Sequence, residues 1–308
     1  MLKGEKILIT GLTGQVGGPV ARALVRDNEV WGIARFSDPK IRASLEKDGV
    51  RCETADLAEG ELSHLPRDFS LALHFAVAKS GNFDADLAAN AEGTGFLMEH
   101  CRDARAFLHC SSTAVYEPQD HKLLSEDSLL GDNHRAFGFL PTYSICKIAA
   151  EGMARFCARQ FGLPTVIPRL NVPYGNGGGW PGLHLELMHR DQPIQVHENT
   201  PSIYNPIHED DLVAMLPRLI EIASVPATIL NWGGSDVVSI EEWCGYLGEL
   251  TGLTPRFEPT TRTIESTAVD TTRMEELIGK TQVPWREGFR RMVEALHPEL
   301  LKGGSSVG

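Results

Sequence analysis

The sequence predicts an α/β protein built on a doubly wound parallel sheet, with a smaller, mostly helical lobe in its C-terminal half. Short apolar segments alternate with helical patterns through the first half of the chain, as in repeated strand-helix-strand units. Several of these segments are apolar almost throughout, which is typical of strands that are covered on both faces. Ligands of such folds bind beyond the carboxyl ends of the strands.

The first half of the chain supplies most of the predicted sheet. The predicted strands are residues 6–10, 29–34, 51–55, 70–75, 107–111 and 165–169. The predicted helices between them are residues 18–27, 39–47, 84–101 and 143–161. We therefore assign residues 1–170 to one ligand-binding domain.

The second half has a different texture, because prolines and glycines crowd residues 173–181 and helical patterns then dominate with few strand signals. We predict helices at residues 239–250, 271–278 and 284–296, and a strand at residues 228–232 that returns to the sheet. Residues 171–302 are expected to form a substrate-binding lobe that lies over the first domain. The glycine- and serine-rich residues 303–308 are expected to form a flexible tail.

Composition and charge exclude several classes of partner. The chain has 308 residues, 42% hydrophobic and 23% charged, as in a globular protein with a sizeable core. Its formal charge of -12 argues against nucleic-acid and anionic-membrane partners. Six scattered cysteines form no Cys-x-x-Cys pair, so we expect reduced thiols, no metal site and a cytoplasmic location. No apolar segment is long enough to predict a membrane span.

A glycine loop follows the first predicted strand and opens the first helix. Gly11, Gly14 and Gly17 follow a G-x-x-G-x-x-G spacing, which lets the chain turn sharply and lets backbone amides approach a pyrophosphate. The alternative is an ordinary glycine-rich turn. The strand before and the helix after favour dinucleotide binding. The residues of this loop that we expect at the cofactor are Gly11, Thr13, Gly14, Gln15, Val16 and Gly17.

The ends of the next strands predict the rest of the cofactor site. Arg35 and Ser37 follow the second strand, where an acid would favour NAD and an arginine suits the additional phosphate of NADP. We therefore predict NADP in preference to NAD, the alternative being a solvated arginine at a strand end. Asp56 and Leu57 are expected at the adenine, and residues 75–77 (Phe75, Ala76, Val77) beside the ribose and nicotinamide.

Tyr143 and Lys147 are the candidate catalytic pair. In a helix they lie four residues apart and share one face. A phenol normally titrates near pH ~10, so it exchanges protons poorly at neutral pH unless a fixed positive charge favours its phenolate. The lysine can supply that charge. The spacing alone also suits a solvated helix face, but the glycine loop and an upstream serine favour catalysis.

Together these motifs resemble those of the extended short-chain dehydrogenase/reductases, the group that contains the NAD-dependent epimerases and dehydratases. The matching segments are residues 10–17, 56–57, 74–78, 90, 93–94, 111–116, 143–147, 169–175, 208–211 and 270–273. The resemblance implies a Rossmann fold, Tyr143 as acid/base and Lys147 as its activator and ribose ligand. It also implies Ser112 as the hydrogen-bond partner of the reacting oxygen, because the family's serine lies four residues before the tyrosine of a Val-Tyr-Gly triplet, here Tyr116. Leu170 is implied beside the cofactor.

The same resemblance narrows the substrate. Dehydratases of the family place an acidic pair directly after the serine, where this chain has Thr113 and Ala114. Many sugar-nucleotide enzymes of the family grip the diphosphate with an arginine where this chain has Tyr204; Arg262 corresponds to a second such arginine. Trp180 follows three glycines. It is expected either to cover the substrate as part of a mobile lid or to pack within its own lobe. The expected substrate residues are Lys79, Thr113, Asn171, Trp180, Tyr204 and Arg262.

The resulting expectation is an NAD(P)-dependent oxidoreductase that interconverts a carbonyl and an alcohol on a small molecule. A sugar-nucleotide epimerase with a tightly held nicotinamide cofactor is the alternative. A non-catalytic NADP-binding sensor is a third possibility, but such relatives typically lose the tyrosine or the lysine that this chain keeps. Relatives often form dimers through a helix bundle that includes the tyrosine helix, so we expect a homodimer.

Overall fold

The computed structural model describes residues 2–135, 138 and 140–302, so the predicted tail at residues 303–308 lies outside the described residues. The strands are β1 (Lys6–Thr10), β2 (Glu29–Ala34), β3 (Arg51–Thr54), β4 (Leu71–His74), β5 (Ala106–His109), β6 (Ser111–Ser112), β7 (Thr165–Leu170), β8 (Pro173–Gly175), β9 (Gly178–Gly179), β10 (Ile194–His197), β11 (Ile203–Tyr204), β12 (Ile207–His208), β13 (Thr228–Trp232), β14 (Val238–Ser239) and β15 (Phe257–Thr260).

The α-helices are α1 (Gly17–Leu24), α2 (Pro39–Lys47), α3 (Phe83–Leu87), α4 (Gly93–His100), α5 (Tyr143–Phe161), α6 (Trp180–His189), α7 (Glu209–Glu221), α8 (Ile240–Thr251), α9 (Thr272–Ile278) and α10 (Trp285–Leu296). A π-helical turn, Ala88–Glu92, joins α3 to α4. Short 3-10 turns lie at Thr113–Val115 and Pro298–Leu300.

The central sheet is parallel, with the strand order β13-β7-β5-β4-β1-β2-β3 and with β6 also paired to β7. The chain runs outward from β1 to β3 and then returns to the other side of β1 as β4. The predicted doubly wound fold is therefore confirmed. The reversal places the loops that follow β1 and β4 side by side, at the position where such folds bind ligands.

Helices cover both faces of the sheet. One face packs against α1, α2, α7 and α9, and the other against α4 and α5. The second half of the chain thus adds α7 and α9 to the sheet layers as well as β13. A third core, centred on Tyr174, Trp243 and Phe289, belongs to the smaller lobe.

Three of the differences between predicted and observed elements are explained by single side chains. The helix predicted at 18–27 ends at Leu24, because the Asn28 side chain donates to the Leu24 carbonyl at 2.8 Å. The helix predicted at 84–101 contains the π turn, because Asn90 Nδ2 donates a hydrogen bond to the Asp86 carbonyl at 2.7 Å. The strand predicted at 107–111 breaks at Cys110, whose carbonyl accepts from Lys147.

The smaller lobe contains more strands than the sequence signals indicated. Seven strands of two to four residues lie between residues 173 and 260. Alternation of apolar and polar residues needs a longer segment to be recognisable, so the sequence could not indicate them. These strands fold the lobe back over the carboxyl edge of the central sheet, where β8 pairs with both β9 and β12.

Candidate active site

The glycine loop is shaped by close backbone packing. Gly11 has φ +71°, and a Cβ added to it would lie 2.5 Å from the backbone nitrogen of Ala76. A Cβ added to Gly17 would lie 2.5 Å from the Gly11 carbonyl oxygen. Gly11 therefore allows this loop to pack against the segment after β4, and Gly17 allows the loop to pack against itself. Helix α1 has no acidic residue in its first turn, so the loop and helix start fit the pyrophosphate of a dinucleotide.

A buried histidine joins the same two segments. The Thr94 hydroxyl donates to the Asn90 carbonyl, so it accepts from His74 Nε2 at 3.0 Å. Nδ1 of His74 then accepts from the Thr10 hydroxyl at 2.7 Å, and that hydroxyl accepts from the Ala76 amide at 3.1 Å. Burial, together with the positive charge of Lys147, lowers the pKa of His74 to about 3. The neutral imidazole therefore holds the glycine loop and the segment after β4 in place through hydrogen bonds.

The two adjacent serines have different environments. Ser111 is buried and its hydroxyl donates to Glu151 Oε1 at 2.5 Å, so it is committed to the interior. Ser112 lies at the cavity, and its hydroxyl oxygen accepts from the Ala114 amide at 3.2 Å. That bond orients the Ser112 oxygen and leaves its proton available for a substrate oxygen.

Tyr143 is the first residue of α5, and Lys147 follows one turn later. Lys147 is buried and donates to the Cys110 carbonyl at 2.8 Å, which uses one of its three N–H groups. Its Nζ lies 6.0 Å from the centre of the Tyr143 ring. The ammonium is therefore held behind the phenol ring, at the end of β5.

The first turn of α5 is held from two directions. The Thr142 hydroxyl donates to Asp86 Oδ2 at 2.7 Å, and Asp86 also accepts from the amides of residues 80 and 81. On the other side, Ser144 Oγ and His134 Nδ1 are 3.0 Å apart. These contacts fix the backbone on which Tyr143 is carried.

Ser112, Tyr143 and Lys147 line one cavity of about 530 Å³ at the switch point of the sheet. Ten further predicted site residues line it: Gln15, Val16, Phe75, Val77, Lys79, Thr113, Leu170, Asn171, Trp180 and Tyr204. The smaller lobe closes this cavity over the glycine loop, since Gln15 Nε2 donates to the Pro173 carbonyl at 3.2 Å. The arrangement brings a serine hydroxyl, a phenol and an ammonium together beside the glycine loop.

A sequence model of the NAD-dependent epimerase/dehydratase family matches residues 7–233, which is well over half of the chain. The chain belongs to this family. The resemblance to extended short-chain dehydrogenase/reductases is thereby confirmed, and membership of the epimerase/dehydratase family indicates an NAD-dependent enzyme.

Similar proteins within the family act on or bind nucleotide-linked sugars. The chain is 26% identical to a dTDP-4-dehydro-6-deoxy-D-allose reductase from Streptomyces, over 93% of this chain and 94% of that protein. A UDP-glucuronic acid 4-epimerase from Bacillus cereus, solved with UDP-glucuronic acid and NAD, has a TM-score of 0.81 at 21% identity, with 95% and 99% of the chains covered. A dTDP-glucose 4,6-dehydratase from Bacillus anthracis, solved with NAD, has a TM-score of 0.79 at 17% identity, with 95% and 96% covered. These structural likenesses establish the fold.

The predicted adenosine side of this epimerase/dehydratase-family site lies at the ends of β2 and β3. Arg35 and Ser37 are both exposed there. Asp56 Oδ1 accepts from the Ala58 amide at 3.0 Å, and Leu57 packs against Gly93 of α4. Nine predicted cofactor residues lie outside the cavity lining: Gly11, Thr13, Gly14, Gly17, Arg35, Ser37, Asp56, Leu57 and Ala76.

Among the predicted substrate residues, Arg262 is exposed and is not part of the cavity lining. Asn171 lies at the cavity, but its amide bonds the Thr267 carbonyl and the Asn205 amide, so its role there is to hold the lobe. Trp180 starts α6 and packs edge-on against Tyr204, with ring centres 4.9 Å apart. It therefore both lines the cavity and packs within its own lobe.

The sequence reasoning missed Asn133, His134 and Leu183, which also line the cavity. Asn133 bonds both the amide and the carbonyl of Glu265, at 3.1 and 3.3 Å, and so joins the two lobes. Burial lowers the pKa of His134 to about 4, although Asp132 opposes the shift, so the imidazole is neutral at pH 7.

Among the described residues, no group of three or more His, Cys, Asp or Glu side chains is placed to hold a metal ion. No helix within residues 2–135 or 140–302 is both long and apolar enough to cross a bilayer.

Proposed function

We propose that this protein is an NAD(P)-dependent oxidoreductase that interconverts a carbonyl and an alcohol on a small-molecule substrate. The observation that carries the proposal is the convergence of Ser112, Tyr143 and Lys147 on one cavity beside the glycine loop. The test is consumption of NAD(P)H by the purified protein on a panel of aldehydes and ketones. Turnover must depend on Tyr143.

The chain's own groups account for the proton side of this reaction. In the reductive direction the substrate oxygen accepts hydrogen bonds from Ser112 and Tyr143, and Tyr143 donates its proton as negative charge develops on that oxygen. Lys147 stabilises the phenolate that remains. When bound, the nicotinamide supplies or accepts the hydride.

The cofactor would be held by several of the predicted segments. Loop residues 11–17 would bind the pyrophosphate, Asp56 and Leu57 the adenine, and Lys147 with Tyr143 the ribose. Phe75, Ala76, Val77 and Leu170 would line the nicotinamide side.

We propose NADP rather than NAD as the preferred cofactor. Arg35→Ala should raise the Kd for NADPH about tenfold or more, because it removes a charge-assisted bond to the additional phosphate, and should leave the Kd for NADH almost unchanged. Titration of intrinsic fluorescence measures both. Arg218→Ala, at an exposed arginine in the last turn of α7, is the control. Tighter binding of NADH than NADPH by the unmodified protein would reject the NADP preference.

A sugar-nucleotide epimerase is the second candidate, favoured by the fold shared with the UDP-glucuronic acid 4-epimerase. An epimerase keeps its nicotinamide bound and shows no net redox change, whereas a reductase exchanges it freely. Denaturing the purified protein and assaying the released nucleotide distinguishes them. Stoichiometric NAD in the purified protein would favour the epimerase. A non-catalytic sensor would bind cofactor and turn over no carbonyl.

We also propose a homodimer formed through α4 and α5. Phe156 on α5 is 60% exposed and Phe96 on α4 is 39% exposed, and the two helices pack side by side. Phe156→Asp should convert the dimer to a monomer, because it places a charge in an apolar contact. Light scattering measures the mass of the protein in solution. The matched control is Phe257→Asp, which makes the same change at a 37% exposed phenylalanine on β15. A monomeric unmodified protein would contradict this proposal.

The six buried, unbridged cysteines support a cytoplasmic location.

A further inference from the structure

The wall that the smaller lobe gives to the cavity is aromatic. Trp180 contacts Tyr204 and Trp243, with ring centres 4.9 and 5.9 Å away. The Tyr204 hydroxyl donates to the Glu265 carbonyl at 3.0 Å and the residue is almost completely buried. Tyr204 therefore presents the carbon surface of its ring to the cavity.

The rim of the cavity continues this apolar surface. Leu183 lies one helical turn after Trp180 on α6, so both side chains share a face. Leu183 lines the cavity and is nevertheless 54% exposed. Leu140, Val172 and Ile264 line other parts of the same cavity. An exposed leucine on a cavity rim is available to cover an apolar part of a ligand.

Charged groups are scarce on the same surface. Among the described lining residues only Lys79 and Lys147 carry a charge at neutral pH. Lys147 is committed to Cys110 and, under the proposed function, to Tyr143, while Lys79 is exposed. The three undescribed residues nearby in sequence are Ala136, Phe137 and Phe139, none of which is ionisable. A diphosphate taken out of water needs several charge-assisted bonds, and this surface provides one exposed lysine.

Building on the proposed oxidoreductase function, we propose that the substrate is an uncharged carbonyl compound with a flat apolar body, and not a nucleotide-linked sugar. Its carbonyl lies at Ser112 and Tyr143, and its apolar body lies against Trp180 and Leu183. The carbonyl carbon gains a hydride from NAD(P)H and its oxygen gains the Tyr143 proton, which solvent later replaces. One NAD(P)H is therefore oxidised for each alcohol formed.

The first experiment compares substrate classes on the unmodified protein loaded with NADPH. Acetophenone and acetone represent large and small uncharged ketones, and dTDP-4-dehydro-6-deoxyglucose represents the nucleotide-linked class. We expect reduction of acetophenone with a higher kcat/KM than acetone, no reduction of the dTDP-linked ketone, and a Kd for UDP weaker than roughly 1 mM by calorimetry. Reduction of the dTDP-linked ketone, or micromolar UDP binding, overturns the inference and leaves the proposed oxidoreductase function standing. If no carbonyl of either class is reduced, both fail.

The second experiment tests the apolar rim. Leu183→Ser should raise the KM for acetophenone about fivefold without changing kcat, and should have little effect on acetone, because only the larger ketone reaches the rim. Leu277→Ser makes the same change at a 41% exposed leucine of α9, outside the cavity, and should alter neither ketone. An unchanged preference for acetophenone over acetone in Leu183→Ser contradicts the inference.

Discussion

Tyr143→Phe should lower kcat for carbonyl reduction by about 10²–10⁴-fold, the range that a positioned acid/base contributes. The variant removes one oxygen atom, so the ring keeps its place at the start of α5 and beside His134, whose ring centre is 5.0 Å away. The Lys147 bond to the Cys110 carbonyl does not involve the phenol and should persist. We therefore expect a large loss of kcat and a much smaller loss of cofactor affinity, because Lys147 remains as a ribose ligand. Single-turnover kinetics and NADPH titration measure the two effects.

The control for this variant is Tyr246→Phe. Tyr246 lies on α8, where its ring packs against Trp285 and Arg286, away from the cavity lining. The Tyr246→Phe variant loses the same hydroxyl group and should leave kcat unaltered. Near-normal turnover in Tyr143→Phe would reject the acid/base assignment, and a comparable loss in Tyr246→Phe would show that the effect is a general one on folding.

Regular, long elements were predictable because their patterns repeat. Helix α5 begins at Tyr143 and ends at Phe161 as predicted, since Gly162 follows with φ +63°, a conformation that favours glycine. Strands β1 and β2 also have the predicted bounds, because their apolar segments are bounded by turn residues. Alternation of strand and helix then leaves few possible topologies, which is why the doubly wound sheet could be predicted from sequence.

What could not be predicted depends on single side chains that bond distant backbone. The π turn before α4 requires Asn90 to bond residue 78 as well as Asp86, and the break at Cys110 requires Lys147, 37 residues later. The same holds at the cavity. Asn133 reaches it only because it bonds Glu265, 132 residues away, whereas Arg262, three residues before Glu265, is exposed. Such contacts join residues that are far apart in the chain, so local sequence patterns cannot reveal them.

One long-range contact should dominate stability. Glu151 of α5 and Arg169 of β7 form a two-bond ion pair at 2.8 and 2.9 Å, with both side chains 3% exposed. Ser111 donates to the same carboxylate, and the guanidinium lies 4.8 Å from the centre of the Tyr116 ring. Burial alone would lower the pKa of Arg169, but the Glu151 carboxylate outweighs it and raises that pKa. The guanidinium of Arg169 therefore keeps its charge in the interior.

Glu151→Ala should reduce the free energy of unfolding by about 3–5 kcal/mol, because it leaves Arg169 charged and buried without a counter-ion. Urea denaturation followed by circular dichroism measures the change. The double variant Glu151→Leu with Arg169→Met removes both charges and should recover most of the loss, since well-packed apolar residues can replace a buried ion pair. Ser111→Ala removes one hydrogen bond and should cost only about 1 kcal/mol.

The position of this ion pair links stability to Ser112, the proposed hydrogen-bond partner of the reacting oxygen. Ser111 and Ser112 form β6, which pairs with Arg169 and Leu170 of β7, so Glu151 holds the strand that carries Ser112. If Glu151→Ala loses less than about 1 kcal/mol, water or a shifted side chain must compensate the guanidinium, and the ion pair is not the anchor. If it loses the expected amount, the double variant should restore the fold but recover only part of kcat. That difference arises because leucine cannot accept the Ser111 hydrogen bond that sets the direction of β6.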